Sequence, residues 1–216
     1  DAVVVFENVL VPWERVFMYR DPLLCNRAFA ETNAVVHMMH QVVCGKLAKA
    51  EFLVGLLCKM AQATGKDKDM NVKGQIAEAM WIAEAVRAFR YQAEGEAHED
   101  AWGHYKPKRR PLDTSRNLFP KWYPRLIDTI HMLGSSSLMA TPCEADFDNE
   151  IAPDVEQYFQ TENLDSRDRV ALYRLAHDVA VSGFGNRQVL YERFFFGPQN
   201  VMASVYFDLY DREEMI

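Results

Sequence analysis

The stretch "TNAVVHMMHQVVCGKLAKAEFLVGLLCKMAQATG", Thr32 to Gly65, decides the fold class of this chain. Val35, Val36, Met39, Val42, Val43, Leu47, Phe52, Leu56 and Met60 recur at steps of three and four, the period of a helix. Thr32 or Asn33 can cap its start and Gly65 ends it, so a long helix is expected from Glu31 to about Thr64. On such a helix His37, His40, Gln41 and Cys44 share one stripe. Two imidazoles and a thiol on one stripe can serve a pocket or a metal, or can be titratable residues of a core.

Working outward, "KDKD" makes a polar turn, and Val72, Ile76, Ala79, Met80, Ile82, Ala83, Val86 and Phe89 predict a second long helix ending near His98, apolar on most faces and therefore buried. Gly103 to Asn117 carries Pro107 and Pro111 with no period and reads as a long ordered loop, the kind that is usually functional. A third helix is expected from Leu118 to Leu133, with Pro120 and Pro124 near its start. A short "DVEQYF" helix follows, and then a fourth long helix capped by Ser166, running unbroken to Gly197 with Pro198 behind it. In its last turns Tyr191, Phe194 and Phe195 read as a packed aromatic stripe, with Phe196 sealing the end. Val201 to Tyr210 forms a final amphipathic piece.

In front of the helices, "DAVVVFENVLVP" is β-branched and ends at Pro12, so it reads as one strand or a hairpin arm, which cannot be stable alone. The chain opens on Asp1 and reads as a piece of a longer protein. The fold class expected is all-α: an antiparallel four-helix bundle preceded by a short β remnant of a missing domain.

Composition narrows the function classes. Of 216 residues, 49% are hydrophobic and 25% charged, ordinary for a globular chain with one sizeable core. A net charge of −7 disfavours nucleic acid and anionic membranes as partners, and the basic cluster "KPKRR", Lys106 to Arg110, is short. No apolar run is long enough to span a bilayer. Cys25, Cys44, Cys58 and Cys143 lack CxxC spacing, so reduced thiols and a cytoplasmic location are expected.

"VVVFENVLVPWERVF" near the start, "LGSSSLMATPCEADF" at Leu133 to Phe147 and "SGFGNRQVLYERFFFG" at Ser182 to Gly197 together resemble the C-terminal half of the large oxygenase component of the 4-hydroxyphenylacetate 3-monooxygenase and chlorophenol monooxygenase family. The resemblance covers nearly the whole chain. It implies an acyl-CoA dehydrogenase-like fold, with residues 1–22 closing a middle β domain and its linker and residues 23–216 forming the C-terminal helical bundle. It also implies an enzyme that takes FADH2 from a separate flavin reductase, forms a C4a-hydroperoxyflavin with O2 and hydroxylates a phenolic substrate, as a homotetramer. Such chemistry needs a phenol made electron-rich by deprotonation and a site closed to water.

By resemblance the substrate-facing histidine of the first bundle helix is His37, whose neutral imidazole can accept a phenolic proton near pH 7. The alternative for His37 and His40 is a hydrogen-bonded structural role. Gly185, Asn186, Arg187 and Gln188 are implied as flavin contacts, because glycines in mid-helix cost helix propensity and invite close approach, and a guanidinium suits phosphate. Gly134 and Ser135 stand where that fold places a flavin-contacting turn. Two departures are a Gly-Ser-Ser-Ser turn at Gly134 in place of a Gly-Gly-Ser-Gly type, and Pro198 in place of an Asp. A 4-hydroxybutyryl-CoA dehydratase of the same fold is the first alternative, since His37 and Cys44 reproduce a spacing used there for a [4Fe–4S] cluster. The surrounding residues differ, and no metal is expected. A non-catalytic oligomerisation domain is the second alternative.

Overall fold

A computed structural model describes residues 2–213. After a single 3₁₀ turn at Trp13–Arg15 come α1 (Pro22–Glu31), α2 (Ala34–Ala63), α3 (Met70–Gly95), a two-residue hairpin of β1 (His98–Glu99) and β2 (Tyr105–Lys106), and α4 (Arg109–Gly134). Then follow α5 (Ala152–Tyr158), α6 (Ser166–Ala180), α7 (Gly183–Phe194) and α8 (Gln199–Leu209). Helices α2, α3 and α4 form three pillars of an antiparallel four-helix bundle, and α6 with α7 forms the fourth. The all-α reading therefore holds.

Residues 2–12 form no strand, and Val3, Val5 and Leu10 stand in solvent. The expected β arm has no ladder partner among the described residues, and a lone strand leaves its N–H and C=O groups unpaired.

Local chemistry sets the helix starts. Asn33 occupies the left-handed region at φ 57°, which an asparagine tolerates, and separates α1 from α2. Asp69 accepts the N–H groups of Asn71 and Val72 at 2.9 and 3.0 Å and starts α3. At α6 the cap is Asp165, which accepts the Asp168 N–H at 2.9 Å, rather than the expected Ser166. The second helix keeps an outward face that carries Met80 and Trp81, so it is less enclosed than its composition implied.

The expected loop at 103–117 is mostly helix, because α4 begins at Arg109. Pro111 falls in the first turn, where a missing N–H costs nothing, and buried Asp113 is gripped by Arg109 at 2.8 Å and Arg116 at 3.1 Å. Pro120 and Pro124 lie inside the helix, each removing one rung of its ladder. "KPKRR" is thus a strand end, a cap and a first helical turn.

The core joins Met39, Val43, Ala50 and Leu57 of α2, Ile76, Ala79 and Val86 of α3, Leu112, Phe119 and Ile130 of α4, and Tyr173 and Ala176 of α6. Inside it lies an ion pair. Lys46 and Glu192 are each 2% exposed, with Nζ to Oε2 at 2.5 Å, and Lys49 also bonds to Glu192. The Lys46 ammonium stands 4.5 Å from the Phe119 ring centre and 5.3 Å from that of Phe196. Burial pulls the Lys46 pKa down, opposed by Glu192, while burial and then Glu192 push the Tyr123 phenol up to about 12. Phe196 is therefore the ring turned inward, whereas Phe194 and Phe195 of the expected stripe are exposed.

Removing one partner of a buried pair leaves an uncompensated charge. Glu192→Leu is expected to cost about 3–5 kcal/mol, and combining it with Lys46→Met should recover part of that loss. Urea unfolding midpoints of the two variants decide it; equal midpoints would mean that the pair is not what makes the single change costly.

Candidate functional site

The stripe on α2 divides between two environments. His37, in the first turn of the helix, is exposed and lines an open cleft of about 920 Å³ with Thr32, Asp100, Trp102, His104 and Tyr105. His40 turns toward α3 instead, with Nε2 2.9 Å from Glu94 Oε1 and 3.9 Å from Cys44 Sγ.

The cleft wall is the hairpin, held by Asp100. Its carboxylate accepts the N–H groups of Trp102 at 2.9 Å and His104 at 3.0 Å, and the Asn33 side-chain amide at 3.0 Å. The His104 N–H, followed by the Trp102 N–H and the Asn33 amide, holds the Asp100 pKa below the usual carboxylate range against the opposing effect of burial. Lys106 Nζ reaches Asn33 Oδ1 at 3.4 Å, so the left-handed residue before α2 is tied to both ends of the hairpin. Trp102 lies outside the expected loop and His104 and Tyr105 at its start; "DAWGHY", a glycine turn between aromatic rings, is the sequence signal that marks the three together.

The residues expected to contact a cofactor lie elsewhere. The fourth pillar breaks at Val181 and Ser182, where Ser182 caps α7 by accepting the Gly185 N–H at 3.2 Å. The Asn186 amide donates to the carbonyls of Val181 at 3.0 Å and Ser182 at 3.1 Å, closing the end of α6. Gly185 is buried, and a Cβ there would collide with the Val179 carbonyl. The close approach to this glycine is made by the chain itself. Arg187 is exposed, and Gln188 Nε2 is 3.5 Å from Glu192 Oε1.

Gly134 ends α4, and a Cβ there would meet the Leu138 side chain. Ser135 follows at φ 48°, turning the chain into a 3₁₀ turn at Ser135–Leu138. His131 Nε2 bonds to the Ala180 carbonyl at 2.8 Å and brings the end of α4 beside the break. His37 is at the other end, where α4 begins. A helix of 26 residues is about 38 Å long. The structure therefore does not bring His37 together with Gly134 and Ser135 in one pocket of this chain.

A family profile described as "HpaB: 4-hydroxyphenylacetate 3-hydroxylase C terminal" matches residues 25–216. The chain belongs to this family. Over 214 residues it is 47% identical to the 4-hydroxyphenylacetate 3-monooxygenase oxygenase component of Geobacillus sp. (strain PA-9), covering 99% of this chain and 43% of that one. The Thermus thermophilus protein of the same name is 46% identical over 213 residues, covering 99% and 44%. A crystal structure of an HpaB oxygenase component complexed with FAD and 4-hydroxyphenylacetate matches with a TM-score of 0.93 and 45% identity, covering 97% of this chain and 44% of that chain. The chain thus spans less than half the length of these HpaB relatives. An archaeal 4-hydroxybutyryl-CoA dehydratase matches with a TM-score of 0.70 at 16% identity, which shows a shared fold.

Two predictions concern the elements that hold these groups. Gly185→Ala should destabilise by about 1–3 kcal/mol, because backbone must move, whereas Gly183→Ala, with open space around it, should be neutral or up to about 1 kcal/mol stabilising; thermal unfolding of both variants checks the contrast. Asp100 has a depressed folded-state pKa, so its anchoring is complete above the unfolded value and is lost as pH falls through the folded one. Asp100→Ala should lower amide-exchange protection of Trp102 and His104 roughly tenfold at pH 7; unchanged protection would show that the carboxylate does not hold the hairpin.

Proposed function

We propose that this chain is the C-terminal part of the oxygenase component of a two-component, FADH2-dependent monooxygenase that hydroxylates a phenol. The observation that carries this reading is the 45% identity and 0.93 TM-score, over 97% of the chain, to an oxygenase component described with FAD and 4-hydroxyphenylacetate. Under it, residues 1–22 close a middle β domain and residues 23–216 are the helical domain, assembled as a homotetramer. A separate reductase supplies FADH2, and the protein works in the cytoplasm. No helix among the described residues is long and apolar enough to cross a membrane, in keeping with that location.

His37 is assigned the phenolic proton: an imidazole nitrogen accepts it as the ring becomes electron-rich. Its exposure on a cleft walled by Trp102 and Tyr105 supports this role, since an aromatic substrate stacks on such rings. Reduced FAD, when bound, supplies the electrons and the oxygen-transferring group. The fit of the expected flavin residues is partial. Gly134, Gly185 and Asn186 serve the fold of this chain, so Ser135, Arg187 and Gln188 are the ones assigned to cofactor contact, with Arg187 the cation for a phosphate. Within this chain His37 and Ser135 stand toward opposite ends of α4 and so do not share one pocket. The dehydratase alternative loses support, because Cys44 groups with His40 and Glu94 among the described residues.

In an anaerobic titration with FADH2 followed by mixing with O2 and a phenol, His37→Ala in the full-length chain should lower the hydroxylation rate by about 10²–10⁴-fold and leave FADH2 binding nearly unchanged. An unaltered rate would remove His37 from the mechanism. No FADH2 binding by the unsubstituted chain would overturn the hydroxylase reading itself.

A further inference from the structure

We propose that His40, Cys44 and Glu94 form a binding site for a borderline-soft divalent cation, Zn2+ in the first instance. The inference stands apart from the hydroxylase reading and uses none of the residues assigned to it. His40 and Cys44 are four residues apart on α2 and so face α3 together, and Glu94 comes from the last turns of α3 to meet them. One ligand atom from each, an imidazole nitrogen, a thiol sulfur and a carboxylate oxygen, can be chosen with all three within 4.8 Å of one another.

Imidazole, thiolate and carboxylate are the ligands that Zn2+ takes, at about 2.0–2.3 Å in a tetrahedron, which puts neighbouring ligand atoms roughly 3.3–3.8 Å apart. His40 Nε2 is 2.9 Å from Glu94 Oε1 and 3.9 Å from Cys44 Sγ, so side-chain adjustments well under 1 Å suffice for those two edges. Calcium and magnesium, which take oxygen ligands, are disfavoured by the sulfur and the imidazole. The His40 and Glu94 side chains are 33% and 42% exposed, which leaves a fourth position open to water. Arg90 Nε stands 3.5 Å from the same Glu94 oxygen. It orients the carboxylate as an outer-sphere partner does, and as a neighbouring cation it keeps the affinity moderate. On binding, the metal forms a bond to Cys44 sulfur and the thiol proton goes to solvent. A plain interhelical hydrogen bond would need only His40 and Glu94; the convergence of the thiol on the same nitrogen is what the metal reading explains.

The test uses the full-length chain with Cys25 and Cys143, the two exposed thiols, changed to Ser. Co2+ should add at one equivalent with a thiolate-to-metal charge-transfer band and the visible bands of a tetrahedral ion, and Zn2+ should displace it. Cys44→Ser should abolish the charge-transfer band, and Glu94→Gln should keep the band while weakening Zn2+ at least about tenfold in competition with a chromophoric chelator. Absence of the band, or the same spectrum in Cys44→Ser, would overturn the site. Glu94→Gln changes a half-exposed residue, so an affinity equal to that of the parent would overturn it even if Cys44→Ser failed to fold.

Discussion

The middle of the bundle depends on the contact between Lys46 and Glu192. Both charges lie in the interior, where leaving water costs several kcal/mol per ion, so the pair persists only because each charge is met on more than one side. Glu192 has two ammonium partners, Lys46 and Lys49, and Lys46 has the faces of Phe119 and Phe196. Tyr123, with its pKa pushed up to about 12, remains a neutral neighbour at physiological pH and adds no second anion. A slip of α7 by one turn along α2 would leave these charges buried and unmatched, so the pair sets the register of the fourth pillar against the first. Apolar packing alone would discriminate far less sharply between neighbouring registers.

That register has consequences at both ends. Toward the start of α4, Asn33, Asp100 and Lys106 knit the entry of α2 to the hairpin and shape the cleft that His37 faces. Toward its end, His131 reaches the carbonyl that closes α6. One stripe of α2 thereby serves two purposes: its first histidine lines an opening, and its second joins a thiol and a carboxylate against α3.

The long apolar helices were legible because their period is set by burial, and burial is what built them: Val43, Leu57 and Val86 are fully enclosed. The start of α4 was not, because Pro107 and Pro111 read as breakers, while the force that makes Arg109–Asn117 helical is the grip of Arg109 and Arg116 on buried Asp113, a charge pattern masked by the prolines. The continuous fourth helix expected from the sequence is broken for the opposite reason. "SGFG" sits in an unbroken apolar period, and only the Ser182 cap and the Asn186 amide, two local polar contacts, show that the chain stops and restarts there. His37 and the glycines are visible in the sequence as residue types, but the neighbours that surround them, Trp102 across the cleft from the one and the Val179 carbonyl against Gly185, are distant in sequence or belong to backbone. Glu94 carries no signal at all until α3 is folded against α2.

The break in the fourth pillar also divides the molecule's cooperativity. Helix α6 buries Val170, Tyr173, Ala176 and Ala180, whereas α7 buries only Gly185 and Glu192, and α8 buries none of its residues. A continuous helix would transmit opening from one half to the other through its hydrogen-bond ladder. The cap at Ser182 interrupts that ladder, so α7 can open separately from α6 while α2, α3, α4 and α6 keep their core. The buried carboxylate of Glu192 is the latch on α7, and opening that helix must withdraw one charge from two ammonium partners as well as expose the little apolar surface it covers.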